Sequence, residues 1–390
     1  MHENPFIEFG AWKIRSLVLF AAAAIGSWAC SGASSSLSSS ASNDGGALTD
    51  SGSGLGGDGP SADGGLTAAQ ACAADAHAAC MLRSTCSMTF GIEKDYPDEA
   101  TCENRTAIPC EHSLAARGTA QDPAGIEACS AALPNESCSD FLDGNPVSAC
   151  VPPAGTGQTG TACGASGQCA STFCAIGQYQ VCGTCQPLPP LGASCQVAAD
   201  CGRDVACAVA AGASSGTCVA YAALNAPCLT GTQPCAAQLG CVGDDPTTGT
   251  MGTCQAIAGT VGAACDGSRK TAANCDAQAG LACIPNAKGS AVGTCKAITL
   301  VAAGTRCGDI GAAPVTGVAD CIGGGLCVKQ LTDAGTPAAT GVCVPPAQDG
   351  APCDNDATKG PPCLAPAKCV PSAPGATAGM CVVPDATQCN

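Results

Sequence analysis

Large apolar side chains are scarce in this chain. Its 390 residues include 2 Trp, 3 Tyr and 6 Phe, and aromatics make up 3% of the total. Both tryptophans, Trp12 and Trp28, sit near the N-terminus. After residue 30 the aromatic set is Phe90, Phe141, Phe173, Tyr96, Tyr179 and Tyr221. The 46% hydrophobic content is mostly Ala, Val and Cys. Each of these buries little area, at roughly 25 cal/mol per Å². That scarcity excludes one large packed core and favours small cross-linked units.

Positive charge is also scarce. There are 15 Lys and Arg against 31 Asp and Glu, a net charge of −16 at pH 7. No run of basic residues stands out, which argues against nucleic acid as a partner. An acidic surface of this kind serves solubility. Histidine is rarer still: the 3 residues are His2, His77 and His112. A Ser–His–Asp triad would have to draw on the latter two. Neither a P-loop nor an H-E-x-x-H pattern occurs. On this inventory we expect no enzyme activity and no cofactor.

Cysteine is abundant, at 35 residues. That density marks a disulfide scaffold, and such scaffolds need an oxidising compartment. The N-terminus agrees. Lys13 and Arg15 precede an apolar run from Leu17 to Gly26, followed by Ser27-Trp28-Ala29-Cys30. Residues 1–29 read as a secretory signal. The run is shorter than the ~20 residues a membrane span needs.

A cysteine at this place resembles the lipobox of bacterial lipoproteins, in which cleavage precedes an acylated cysteine. Ala29 fits that pattern; Ser27 and Trp28 depart from it. The resemblance implies a lipid anchor at Cys30, and so a membrane partner. Ordinary cleavage after Ala29 is the competing reading. Residues 31–65, rich in Ser, Gly and Asp, then read with Cys30 as a disordered tether. Its root-mean-square span would be roughly 30–35 Å.

Texture changes at Leu66. Residues 66–150 are Ala-rich and carry Cys72, Cys80, Cys86, Cys102, Cys110, Cys129, Cys138 and Cys150. Thr67 and Gln70 form a capping-box pattern, so a helix is predicted from Ala68. A second is predicted over 98–107, and a third from Asp122-Pro123 to about Leu133. Eight cysteines allow four internal bridges, whose connectivity sequence alone does not fix. His77 and His112 stand close to Cys80 and Cys110. A zinc site would need thiolates that an oxidising compartment consumes, so ordinary surface histidines are the better reading.

From residue 160 to 390 a four-cysteine unit recurs six times. Its members are Cys163, Cys169, Cys174 and Cys185; Cys195, Cys201, Cys207 and Cys218; Cys228, Cys235, Cys241 and Cys254. The array continues with Cys265, Cys275, Cys283 and Cys295; Cys307, Cys321, Cys327 and Cys343; and Cys353, Cys363, Cys369 and Cys381. First-cysteine spacing grows from 32 to 46 residues. Three residues before each first cysteine stand Gly160, Gly192, Asn225, Gly262, Gly304 and Gly350. Asn as the sole replacement points to a left-handed turn. Two before each fourth cysteine stand Gly183, Gly216, Gly252, Gly293, Gly341 and Gly379.

The third-cysteine and fourth-cysteine segments read as a β-hairpin with a variable tip. We expect first-to-third and second-to-fourth pairing. The fold class is then small and disulfide-rich: a disulfide-stapled helical module followed by six tandem cystine-linked β-hairpin repeats. Cys182 and Cys389 remain. They either pair with each other or both stay exposed. Cys182-Gly183-Thr184-Cys185 has redox-motif spacing but lacks a βαβ setting. Setting Cys30 aside leaves 34 cysteines, an even number.

The spacing of Cys163, Cys169, Cys174, Cys182, Cys185, Cys195 and Cys201 resembles the N-terminal cysteine-rich region of Dickkopf proteins. It departs where that family has adjacent cysteines, since Gly202 follows Cys201. The match covers about residues 163–218 and implies a secreted binding module. The whole layout also resembles cysteine-rich bacterial predicted lipoproteins of unknown function. The expectation is therefore an exported, surface-tethered binding or structural protein, at the cell surface or in the periplasm. An extracellular protein or glycan would be its ligand. A released protease-inhibitor or toxin-like effector is one alternative. A thiolate metal-sequestering protein is another.

Overall fold

The computed structural model describes residues 65–390 except 89, 178, 197–199, 202–204, 211–212, 214, 312–314, 333–337 and 390. The signal segment, Cys30 and the tether lie outside the described residues.

The described residues fold around five α-helices. Helix α1 spans Ala68–Ser87 and starts at the capping box: Thr67 Oγ1 accepts from the Gln70 N–H, and Gln70 Oε1 accepts from the Thr67 N–H. Helix α2 is Phe90–Asp95, α3 is Glu99–Ala115, α4 is Pro123–Ala132 and α5 is Cys138–Asp143. Asp98 and Asp122 cap α3 and α4, each accepting from a backbone N–H three residues on. Neither α2 nor α5 was expected.

Helix α3 runs beyond the expected end at Ala107, through Pro109 to Ala115. An internal proline removes a hydrogen bond and crowds a carbonyl. Two disulfides, Cys72–Cys110 and Cys80–Cys102, hold the segment along α1. On each helix the two cysteines of these bridges stand eight residues apart, so the bridges are rungs about 12 Å apart on an antiparallel pair. Cys86–Cys138 fastens α5 to α1, and Cys129–Cys150 fastens α4 to the chain leaving the helices. Leu82, Ile126 and Leu133 are buried among these cystines.

Beyond the helices come six small sheets. Five of them are antiparallel and three-stranded and the fifth repeat's is mixed, which corrects the two-stranded hairpin reading. The sixth repeat shows the plan: Pro352–Asp354 pairs with Ala378–Val382, which also pairs with Lys368–Pro371. A strand at the first cysteine thus joins the hairpin along its fourth-cysteine edge. The left-handed turn brings it there. Gly160, Gly192, Asn225, Gly262, Gly304 and Gly350 all have positive φ, from 63° to 89°. In each, the N–H donates to the carbonyl of that repeat's fourth cysteine. A Cβ at the five glycines would meet nothing within 4 Å, so backbone conformation alone explains them.

The second glycine has a different cause. A Cβ at Gly183, Gly216, Gly252, Gly293, Gly341 or Gly379 would lie 2.0–2.5 Å from a carbonyl oxygen of the third-cysteine strand. Close approach of two backbones excludes any side chain there. Growing repeat length is absorbed between these fixed points. The fifth repeat adds a hairpin, Arg306–Ile310 with Gly317–Cys321, and Thr299–Val301 pairs parallel to it. Its sheet therefore has five strands.

The repeats wrap around the helices as a rim around a hub. In the first repeat, Gln168 Nε2 donates to the Arg117 carbonyl and the Ala120 N–H donates to the Gly167 carbonyl. In the third, the Ala237 N–H donates to the Asp143 carboxylate. The fourth sets Gly280 against the Phe90 ring, where a Cβ would clash at 2.5 Å. The fifth donates the Gly323 and Gly324 N–H groups to the carbonyls of Glu93 and Lys94, and Asp320 pairs with Lys94. The sixth receives Arg105, which forks onto Asp349 and donates to the carbonyls of Leu364 and Ala365.

Candidate functional site: the cystine frame and the faces it presents

Every repeat joins its first cysteine to its third and its second to its fourth. The bridges are Cys163–Cys174 and Cys169–Cys185 in the first repeat, and Cys195–Cys207 and Cys201–Cys218 in the second. Cys228–Cys241 and Cys235–Cys254 follow, then Cys265–Cys283 and Cys275–Cys295. Cys307–Cys327, Cys321–Cys343, Cys353–Cys369 and Cys363–Cys381 complete the set. The two bridges of a repeat stack side by side. Three sulfurs, such as those of Cys163, Cys169 and Cys185, lie within 4.8 Å of one another. Free thiolates at that spacing could hold a metal. Bonded as cystines the sulfurs carry no charge and are poor ligands.

Cys182 and Cys389 form the one bridge that crosses the array, with a sequence separation of 207. The other bridges span 11 to 52 residues. This clasp joins the first repeat to the end of the sixth and closes the rim. Around it Lys368 Nζ donates to the Gln180 carbonyl. Ala386 fills the space beside Gly164, where a Cβ would sit 2.4 Å from its Cα. The two cysteines of Cys182-Gly183-Thr184-Cys185 therefore have different partners, and that segment is no dithiol pair.

The histidines do not converge on cysteine. His77 Nδ1 meets the Glu103 carboxylate on the exposed side of α1 and α3. His112 Nδ1 lies 2.8 Å from the Pro384 carbonyl, against the clasp segment. The acidic Asp354-Asn355-Asp356 segment turns on itself. Asp354 accepts from the Asp356 N–H, and Asp356 accepts from Thr358 and pairs with Lys359. Residues 212–216, Gly-Ala-Ser-Ser-Gly, have nucleophile-elbow spacing but lead into a strand, Gly216–Ala220, and not a helix. At Ser215 and Gly216 an open depression of about 470 Å³ is lined by small and hydroxyl side chains, among them Ser194, Thr217 and Thr232.

Two faces carry unusual electrostatics. At the junction of hub and third repeat, burial raises the Asp143 carboxyl to about 6, although the Ala237 N–H works against the shift. Burial and the nearby Asp140 charge raise Glu136 to about 7. Burial and Asp143 push the Tyr221 hydroxyl up to about 12. Elsewhere in the rim, Asp266 is held well below the ordinary carboxylate range. Burial opposes that, but hydrogen bonds from Ser268 and Thr271 outweigh it.

The second face is basic. Arg269, Lys270, Lys288, Lys296 and Arg306 belong to the fourth repeat and the start of the fifth. None of them forms an ion pair with a described residue. A search for basic runs misses this group because its members are spread along the chain. The readable signal is instead a shortage of acids: Asp276 is the single one between 267 and 308.

No protein-family model, curated protein or solved structure matches this chain. Among the described residues no helix is long and apolar enough to cross a membrane.

Proposed function

We propose that this chain is an exported, non-enzymatic binding or structural protein, held at a bacterial cell surface through an acylated Cys30. One observation carries the reading: every cysteine from Cys72 to Cys389 is bonded to another. Seventeen such bridges need an oxidising compartment. They also leave no thiolate among the described residues for catalysis or metal storage. The frame holds backbone geometry constant and lets loops of unlike sequence vary at the hairpin tips, an arrangement suited to recognition. The resemblance of residues 163–218 to the Dickkopf cysteine-rich region favours a binding module. It carries no signalling role across.

Intact-mass analysis of protein from the membrane fraction tests this, before and after reduction. The expected chain begins at Cys30, carries acyl mass, and gains two hydrogens per cystine on reduction. A chain beginning at Cys30 without acyl mass and found in the medium would favour the released-effector alternative. Bound metal with many alkylatable thiols would favour sequestration.

A further inference from the structure

The basic group on the fourth repeat is out of character for this protein. The hub, residues 66–150, holds 12 acids and 4 Lys or Arg. Residues 267–308 hold 5 Lys or Arg and 1 acid. That acid, Asp276, is 7% exposed and turned onto the backbone N–H groups of Gln278 and Ala279. Three of the hub's four cations, Arg83, Lys94 and Arg105, are engaged with carboxylates, and the fourth, Arg117, is exposed without one. Lys270, Lys288, Lys296 and Arg306 are exposed and have no such partner among the described residues.

The fold gathers the Arg269–Lys270 loop with Lys288 and Lys296. The Gly267 N–H donates to the Ala291 carbonyl, so the loop bearing Arg269 and Lys270 lies beside the hairpin tip bearing Lys288. The strand Val292–Ala297 leaves that tip. Successive side chains alternate between the faces of a strand, so Val292 and Lys296 share one. Val292 is 47% exposed between Lys288 and Lys296. Acids border the group: Asp266, paired across the sheet with Val292, is buried and accepts from Ser268 and Thr271, Asp309 follows Arg306 by three residues, and Asp244 and Asp245 follow Gly243, whose N–H donates to the Arg269 carbonyl. Asp244 is engaged by the Thr230 N–H and Asp245 by the Thr247 N–H.

We propose that this flank of the fourth repeat docks onto an anionic lipid surface. Cations around an exposed aliphatic side chain match the headgroup boundary of a membrane, where charge faces phosphate and the aliphatic group leaves water. The net charge of −16 does not forbid this. At physiological salt, charges more than about 8 Å from the surface are largely screened, so the facing side decides. The choice of lipid over other polyanions rests on the tethered reading, since a chain fixed at Cys30 works beside a membrane. The docking itself does not require the acyl group.

The test uses the full chain carrying Cys30→Ser, so that no acyl group contributes. Co-sedimentation with vesicles of equimolar phosphatidylglycerol and phosphatidylcholine is compared with pure phosphatidylcholine. We expect partitioning to the anionic vesicles alone, falling about tenfold or more as salt rises to about 0.5 M. Lys270→Glu with Lys288→Glu should lower partitioning about tenfold. Arg117→Glu with Lys329→Glu makes the same change in net charge at two cations outside the flank. It should alter partitioning by at most about twofold. Unchanged cystine content by mass confirms that each variant is folded. Equal losses in both double variants would overturn the proposal. So would absence of vesicle binding, whether or not the chain binds a soluble acidic polysaccharide or a second copy of itself. Vesicle binding by the Cys30→Ser chain stands or falls independently of what Cys30 carries in the cell.

Discussion

In the helical hub, Leu82, Tyr96, Ile126 and Leu133 are buried beside four cystines. In the first repeat the buried cluster is Cys163, Cys169, Cys174 and Cys185, with Ile176 at its margin. The clusters of the other repeats add between one and four Ala, Val or Leu residues. The hub thus uses disulfides to staple elements that also pack. The rim uses them as the core itself. The difference follows from composition: small side chains cannot supply the burial that a three-stranded sheet needs.

Reduction should separate the two most strongly. Titration with dithiothreitol should abolish the β signal of the repeats in circular dichroism while part of the helical signal persists. Parallel loss of both would mean the hub has no packing of its own. The clasp comes next. Cys182→Ser with Cys389→Ser should cost about 3 kcal/mol of stability by denaturant unfolding, through loop entropy. Every other cystine should stay intact by mass. An unchanged midpoint would mean the rim closes equally well without the bond.

The two glycines of a repeat sharpen the comparison within the rim. Gly293→Ala places a Cβ 2.1 Å from the Ile284 carbonyl oxygen and forces backbone apart. It should cost about 2–3 kcal/mol. Gly262→Ala meets open space and fails only on its φ of 85°, at about 1 kcal/mol. Gly262→Asn should cost less again, as Asn225 occupies the matching place. Equal melting shifts for Gly293→Ala and Gly262→Ala would refute the separate causes.

The smallest effect is pH-linked and lies where hub meets rim. Asp143 at about 6 and Glu136 at about 7 have folded values above their ordinary ones. The folded state therefore binds protons that the unfolded state has already lost. Their contribution is complete below about pH 4 and disappears as pH rises through 6 to 7. Melting temperature should rise by a few degrees from pH 8 to pH 5, and Glu136→Gln should remove more of that rise than Asp143→Asn. Asp356, held down to about 2 by Lys359 and Thr358, titrates below this window and does not oppose it.

Local features were legible in the sequence because their causes are local. Thr67, Asp98 and Asp122 marked helix starts through capping chemistry. Asn225 revealed a left-handed turn because few other residues tolerate it. Ser137 and Asp140 also form a cap at α5, a readable signal that the short helix obscured. The third strand of each sheet was not legible, since two residues such as Ser194–Cys195 carry no period. The wrapping of rim around hub was not legible either. It depends on single contacts between distant residues, such as Asp143 with Ala237 and Arg105 with Asp349, which leave no pattern along the chain. Cys182 and Cys389 could be counted as leftovers but not joined.

The closed rim depends on the Cys182–Cys389 bond. Non-reducing peptide mapping of the full chain, with thiols alkylated first, decides it. One linked species containing Cys182 and Cys389 that separates on reduction is expected. Alkylated Cys182 and Cys389, or a link from Cys182 to Cys185, would show an open array and contradict it.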